Sequence, residues 1–221
     1  MGRKAIIAGA SGMIGSELLQ IILQDDTYSG VLVIVRKKLS VEHKKLFQLV
    51  IDFNHLDKYT SYISGDVLFC CLGSTRKKTP VKSLYYQIDH DFPVNMARLA
   101  AKNGVKQFHL VSAIGADPHA RNFYSKMKGE TARDILQMEI PSLYIYEPSL
   151  LTGEREENRT GERFAMAVMK VVDPILFGSW KKYRSVPAKE VARVMFQQSI
   201  HGEPGKWRIQ FTPPGYLKES Y

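Results

Sequence analysis

A glycine-rich turn near the amino terminus constrains the fold of this chain more than any other feature. An apolar run, Lys4–Ala8, precedes the turn, and apolar residues from Ile14 to Ile22 follow it at helical spacing. A strand, a glycine loop and a helix in this order are typical of dinucleotide sites, where glycines let a pyrophosphate approach the helix N-terminus. A purely structural turn is the alternative. The expected contacts are Gly9, Ser11, Gly12, Met13, Ile14 and Gly15.

Strand-like and helix-like segments alternate after this turn. Helices are expected at Asp89–Lys102 and Phe123–Met138. Further strands are expected at Val31–Val35, Phe47–Ile51, Asp66–Leu72, Phe108–Ser112 and Ser142–Tyr146. This alternation predicts an α/β fold, a Rossmann-like doubly wound parallel sheet with helices on both faces. No repeat or linker divides the chain, so we expect one NAD(P)-binding domain over residues 1–221 whose last third is less regular.

The end of the second expected strand bears on the choice between NAD and NADP. An acidic residue about 20 positions beyond the glycines would bind the ribose 2′-hydroxyl of NAD. This sequence instead has Arg36 and Lys37 there, and no carboxylate is nearer than Glu42. Because a guanidinium suits a 2′-phosphate, NADP(H) is the predicted cofactor, with a merely solvated basic cluster as the alternative. Asp52 and Phe53 follow the third expected strand, where an adenine edge could be met.

A tyrosine and a lysine share one face of the helix that follows the fifth expected strand. Tyr124 and Lys128 are four residues apart,. A nearby cation stabilises a tyrosinate and makes the phenol a usable acid or base for carbonyl–alcohol exchange. The spacing alone is weak, since such a pair also arises by chance. Its position at the start of this helix, where a nicotinamide would lie, is the stronger argument.

Composition narrows the class of protein. Of 221 residues, 44% are apolar, and 31 Lys+Arg against 22 Asp+Glu give a net charge of +9. The basic residues form short clusters, so no nucleic-acid partner is expected, although a phosphorylated ligand fits the charge. The two cysteines are neighbours, no membrane-length apolar run occurs and the six histidines lack metal-ligand spacing,. The expectation is a reduced, cytoplasmic protein without a membrane span or a metal.

Four motifs together resemble a known family. They are Gly9–Gly15, Cys70–Arg76, Val111–Ala113 and Tyr124–Glu130. In combination they resemble the atypical short-chain dehydrogenase/reductases, and in particular the family of the HIV-Tat-interacting oxidoreductase and its bacterial relatives, from Lys4 to about Gln197.

The resemblance implies an NADPH-binding Rossmann fold with a small C-terminal substrate lobe, most of it within residues 152–185. It also implies that Lys128 holds the ribose and that Pro148 covers the nicotinamide side. The loop after the fourth strand would line the cofactor through Leu72, Gly73 and Ser74.

One departure from the family pattern leaves two functions open. The usual catalytic Ser or Thr ends the fifth strand, often as the second member of a Ser-Ser doublet, and here the pair is Ser112-Ala113. The first hypothesis is an NADP(H)-dependent oxidoreductase acting on a carbonyl or alcohol, with Tyr124, Lys128 and Ser112 as catalytic residues. The alternative is an NADPH-binding regulatory or scaffold protein with little turnover, acting on a protein partner. The substrate and the oligomeric state stay open.

Overall fold

The first strand lies near the centre of the sheet. In the computed structural model, which describes residues 2–153 and 184–221, β1 (Arg3–Ala8) pairs in parallel with β2 (Tyr28–Val35) and β4 (Val67–Cys70). Parallel pairing continues outward to β3 (Leu46–Val50) beside β2 and to β5 (Gln107–Val111) and β6 (Ser142–Glu147) beyond β4. The strand order is β3-β2-β1-β4-β5-β6. The chain therefore adds β2 and β3 on one side of β1 and then adds β4, β5 and β6 on the other side. This is the doubly wound arrangement predicted from the sequence, in which ligands bind beyond the carboxyl ends of the strands.

Helices cover both faces of this sheet, as predicted. On one face, α1 (Met13–Gln24) packs in a buried apolar cluster with α5 (Ala188–His201). On the other, α3 (Phe92–Lys102) and α4 (Phe123–Leu136) pack over β4, β5 and β6. The buried strands are apolar on both sides, because helices exclude water from each face.

The helix expected at Asp89–Lys102 begins earlier than its pattern indicates. A short helix, α2 (Lys82–Tyr86), leads into a π turn at Gln87–Asp91 and then into α3. Val81 and Leu84 are exposed apolar residues near its start, so this first part has no one-sided apolar stripe. For this reason no helical spacing of apolar residues marks the start of the helix before Asp89.

The carboxyl-terminal strands were not predicted. Strand β9 (Gly205–Thr212) pairs in parallel with β6, and β10 (Gly215–Ser220) pairs antiparallel with β9. These two strands complete an eight-stranded sheet, in which β10 departs from the expected parallel arrangement. Apolar residues alternate along β9 at Trp207, Ile209 and Phe211, which is the pattern of a half-buried strand.

The proposed substrate lobe, residues 152–185, lies almost entirely outside the described residues. Its two flanks are adjacent, because β7 (Leu151–Thr152) pairs in parallel with β8 (Val186–Pro187). In the part of the chain that the structure describes, no helix has the length and apolar character needed to cross a bilayer. The same residues contain no group of three or more potential metal ligands.

Candidate cofactor and catalytic site

The glycine loop brings the backbone of β1, α1 and the strand β4 into close contact. Gly9 has a φ of +86°, and a Cβ there would lie 2.5 Å from the Cys71 carbonyl oxygen. Gly12 is the N-cap of α1 and supplies no side-chain cap, so the first N–H groups of the helix are not satisfied by a capping side chain. Gly15 packs against the Gly9 carbonyl. This arrangement leaves a helix N-terminus suited to an anion.

A cavity of about 110 Å³ opens beside this loop. The predicted cofactor residues that line it are Gly9, Ser11, Gly12, Arg36, Phe53, Leu72 and Gly73. Sequence reasoning missed Ile34, Val35, Cys71, Ile88 and Phe92. These missed residues are mostly apolar and sit where the strands end and where α3 begins, so no polar motif marks them. The lining combines mostly apolar residues with one basic residue, Arg36, which suits an adenosine carrying a phosphate,.

The remaining residues predicted near the adenosine take different positions. Lys37 is exposed and is not part of the cavity lining. Asp52 is also exposed, and its carboxylate accepts hydrogen bonds from the backbone N–H and the side-chain amide of Asn54, at 3.0 and 2.9 Å. This carboxylate therefore caps the 3₁₀ segment Phe53–Tyr62. Met13 is partly buried and Ile14 buried in the first turn of α1.

The loop after β4 is joined to the π turn by a buried carboxylate. Asp89 Oδ2 accepts a hydrogen bond of 2.7 Å from the Ser74 backbone N–H. The Ser74 hydroxyl shares a second hydrogen bond, of 2.6 Å, with Thr79. A Cβ on Gly73 would lie 3.4 Å from Asp89 Oδ1 and 3.8 Å from Lys128 Nζ. The predicted cofactor loop therefore lies directly against the predicted catalytic lysine.

Tyr124 and Lys128 differ in their exposure. Tyr124, in the first turn of α4, is 42% exposed and stacks beside Tyr85 with ring centroids 6.5 Å apart. Lys128 is buried, with Nζ 2.9 Å from Asp89 Oδ1. Burial lowers the pKa of Lys128, but the carboxylate of Asp89 and the phenol of Tyr124 together raise it by more, so that the pKa lies above its usual value,. The lysine stays charged beside a phenol that a substrate can reach.

Ser112 and Pro148 lie at the carboxyl ends of β5 and β6. The Ser112 side chain is buried, and its Oγ has no hydrogen-bond partner within residues 2–153 and 184–221. Its backbone N–H donates to the Tyr146 carbonyl at 2.7 Å, and Pro148 accepts from Ile114 N–H at 2.9 Å. Ala113 is buried beside it and offers no polar side chain. A buried hydroxyl without a partner is unusual, and its hydrogen bond is available to a group that reaches the end of β5.

Sequence reasoning missed Asp89, which contacts both the cofactor loop and Lys128. A buried acidic residue within a π turn belongs to no spacing pattern that can be read from a sequence. It also missed Glu147, which precedes Pro148 and is buried with its carboxylate accepting from Arg208 and Gln210. Both partners lie on β9, the unpredicted strand.

Three features of the described residues fit a dinucleotide. The helix N-terminus has no capping side chain, the cavity beside it is shaped by glycines, and a buried hydroxyl lacks a partner. Comparison with known proteins gives the same result, because residues 9–140 match a family described as NAD(P)H-binding. The chain belongs to this NAD(P)H-binding family. Family membership confirms the nicotinamide cofactor that the glycine loop predicted.

Two curated relatives place the chain more closely. HTATIP2 of Rattus norvegicus is 33% identical over 212 residues, which is 94% of this chain and 85% of the relative. FMP52 of Eremothecium gossypii is 30% identical over 207 residues, which is 93% of this chain and 92% of the relative. These matches confirm an atypical short-chain dehydrogenase/reductase that resembles the HTATIP2 family.

The relatives also correct one expectation. FMP52 of Eremothecium gossypii and further fungal FMP52 proteins are named mitochondrial. The cytoplasmic location expected from the sequence is therefore wrong. It rested on the two neighbouring cysteines and on the lack of a membrane-length apolar run, which report on redox conditions and membrane insertion and do not encode a destination in the cell.

A solved structure confirms the fold. The UDP-N-acetylglucosamine 4-epimerase of Methanobrevibacter ruminantium M1 superposes with a TM-score of 0.73 at 16% identity, over 98% of this chain and 78% of the epimerase. At this identity the likeness concerns the architecture alone, which is a Rossmann fold.

Proposed function

We propose that this protein is an NADP(H)-dependent oxidoreductase that interconverts a carbonyl and an alcohol. The observation that carries the proposal is the position of Lys128, whose buried ammonium lies against Gly73 of the cofactor loop and one helical turn from Tyr124. From this position the ammonium is next to the dinucleotide loop and on the same helix as the exposed phenol. The substrate is a small molecule with a carbonyl or an alcohol group.

The choice of NADP(H) rests on Arg36. Its side chain lines the adenosine cavity at the end of β2, and the nearest acidic residue of the predicted site, Asp52, is engaged in capping. A 2′-phosphate placed there gains a guanidinium partner, whereas a 2′-hydroxyl finds no carboxylate to accept its hydrogen bond.

The chemistry follows from which groups hold protons. When bound, the nicotinamide cofactor supplies or accepts the hydride. Tyr124 donates its phenolic proton to the substrate oxygen in reduction and takes it back in oxidation. Lys128 stays charged and holds the ribose hydroxyls, and Ser112 donates a hydrogen bond from its unpartnered hydroxyl to the substrate oxygen,.

The test is NADPH consumption against a broad panel of aldehydes and ketones, with Tyr124→Phe as the central variant. We expect turnover to fall at least a hundredfold, since the phenol supplies the proton, while NADPH affinity stays within about twofold. Tyr85→Phe is the matched control, because that tyrosine stacks beside Tyr124 but is buried. Full turnover by Tyr124→Phe would remove Tyr124 from the mechanism.

Ala113 favours a second function, an NADPH-binding protein that regulates a protein partner. The place at which the family usually has its catalytic hydroxyl is a buried methyl group here. Cofactor binding without oxidation of NADPH by any member of the panel would support this reading over the enzymatic one.

A further inference from the structure

The side chain of Asp89 connects the cofactor loop to the catalytic helix. It is 1% exposed, and its two carboxylate oxygens have different partners. Oδ2 accepts from the Ser74 backbone N–H at 2.7 Å, and Oδ1 lies 2.9 Å from Lys128 Nζ. One buried carboxylate thus sets the position of both the loop and the lysine.

The backbone around Asp89 is held in place as well. Asp89 lies in the π turn between α2 and α3, a helix irregularity that is frequent at functional sites. The Thr131 hydroxyl, from α4, lies 3.1 Å from the Asp89 carbonyl oxygen and 2.8 Å from the Met127 carbonyl oxygen, and its one proton is shared between these two acceptors. Main-chain and side-chain contacts therefore fix the carboxylate against α4, the helix that carries Lys128.

The charge of Lys128 is balanced at this point. Its side chain is only 7% exposed, and Asp89 is the only acidic partner within 4 Å of Nζ in the described ranges. A buried ammonium without a partner would be strongly unfavourable. The pair as a whole carries no net charge.

We propose that Asp89 is the counterion of Lys128 and that it keeps the nicotinamide end of the site electrically neutral, so that oxidised and reduced cofactor both bind. The inference rests on the proposed function, which places Lys128 against the nicotinamide ribose. The nicotinamide ring carries a positive charge when oxidised and none when reduced. Without the Asp89 carboxylate, the buried ammonium repels the oxidised form selectively, because charges interact strongly where water is excluded.

The first experiment measures binding of both cofactor forms by calorimetry. Asp89→Asn keeps an oxygen for the Ser74 N–H and removes the charge. We expect the ratio of the NADP⁺ dissociation constant to the NADPH dissociation constant to rise on the order of tenfold. Asp91→Asn is the matched control, since Asp91 is two residues further along, is 47% exposed and contacts His90 instead. Its ratio should stay unchanged.

The second experiment needs no cofactor. Melting temperatures are measured for Asp89→Asn, Lys128→Met and the double variant. Each single variant leaves one buried charge unpaired and should lose on the order of 10 °C, whereas the double variant should lose much less than the sum. The exposed pair Arg193–Glu190 on α5, at 2.7 Å, is the control, and Arg193→Met with Glu190→Gln should show small, additive changes.

The outcomes are separable. Additive losses in the Asp89–Lys128 cycle would overturn the counterion assignment. If the ratio of the NADP⁺ and NADPH dissociation constants stays unchanged in a folded Asp89→Asn protein, the proposed effect of Asp89 on binding of the oxidised cofactor is overturned. Failure of the unsubstituted protein to bind either cofactor form would overturn the proposed function, and strong coupling in the cycle would still support the assignment of the pair.

Discussion

His109 and Tyr146 share a hydrogen bond inside the sheet, with Nδ1 of the imidazole 2.9 Å from the phenolic oxygen. The imidazole is fully buried and packs between Phe69 and Tyr144, with ring centroids 4.8 and 4.7 Å away. Burial, together with the nearby charge of Arg3, lowers the pKa of His109 to about 3. The imidazole is therefore neutral in the folded protein throughout the ordinary pH range.

This neutral histidine predicts a loss of stability in mild acid. Below its usual pKa of about 6.5 the unfolded chain binds a proton on His109 that the folded chain does not bind. The free energy of unfolding therefore falls as the pH falls from 6.5 toward 3. His109→Gln, which cannot titrate, should lose roughly 1.6 kcal/mol less than the unsubstituted protein between pH 6.5 and pH 5. Urea unfolding at the two pH values measures the difference.

The matched control is His119→Gln, which makes the same substitution at an exposed histidine. Because His109→Gln also disturbs the core, its stability at pH 7 will be lower. The slope against pH is the informative quantity. Equal slopes for the His109 variant and the unsubstituted protein would contradict a histidine that is neutral when folded.

Gly12 should be dispensable for folding and necessary for cofactor binding. Its φ of −84° suits any residue, and a Cβ would meet the Gly9 carbonyl oxygen at 3.3 Å, a contact that needs only a small shift. We expect Gly12→Val to cost about 1 kcal/mol of stability, as for a poor N-cap, and to weaken NADPH binding more than tenfold because the side chain occupies the place of the phosphates. Thermal melting and calorimetry separate the two effects.

Gly30→Val, in β2, is the control for this substitution, since the nearest atom to a Cβ there is 4.0 Å away. It should bind NADPH normally. Undiminished binding by a folded Gly12→Val protein would mean that the loop is only a structural turn.

Local chemistry made part of this protein predictable from its sequence. The glycine loop and the buried strands follow from backbone geometry and apolar runs, so Gly9–Gly15 and the six parallel strands were expected close to where they lie. Asp89 could not be predicted, because its role depends on a tertiary contact. It lies in a π turn and contacts Lys128, which is on a different helix. Strand β9 was missed because its alternation at Trp207, Ile209 and Phe211 is short and follows an irregular region.

Arg36 should determine the preference for NADPH over NADH. Arg36 lines the cavity and is exposed. Because water competes for an exposed guanidinium, its hydrogen bond to the phosphate should contribute a free energy at the lower end of the values typical of charged hydrogen bonds. Arg36→Ala should weaken NADPH binding by roughly 1.5 kcal/mol, about tenfold, and leave NADH binding within about twofold. Titrations of both cofactors at one ionic strength measure this. Lys106→Ala removes the same charge before β5, at the amino ends of the parallel strands rather than at the carboxyl ends where Arg36 lies, and should change neither affinity.

Substitutions at Ser112 and Ala113 decide which position serves the substrate. Ser112 Oγ is buried and, among the described residues, has no partner, whereas Ala113 has no group to offer. If Ser112 is the donor, Ser112→Ala should lower kcat by about 10²–10³, because one oxyanion donor typically contributes 2.7–4 kcal/mol. The same change should raise stability slightly or leave it unchanged, since it removes a buried polar group that lacks a partner in the free protein.

Ala113→Ser should leave kcat unchanged. The opposite pattern, in which Ala113→Ser raises a weak activity and Ser112→Ala has no effect, would show that the second place of the pair is the catalytic one. Steady-state kinetics with the best substrate of the panel, together with melting temperatures, distinguishes the two, because loss of the donor lowers kcat in a protein that stays folded.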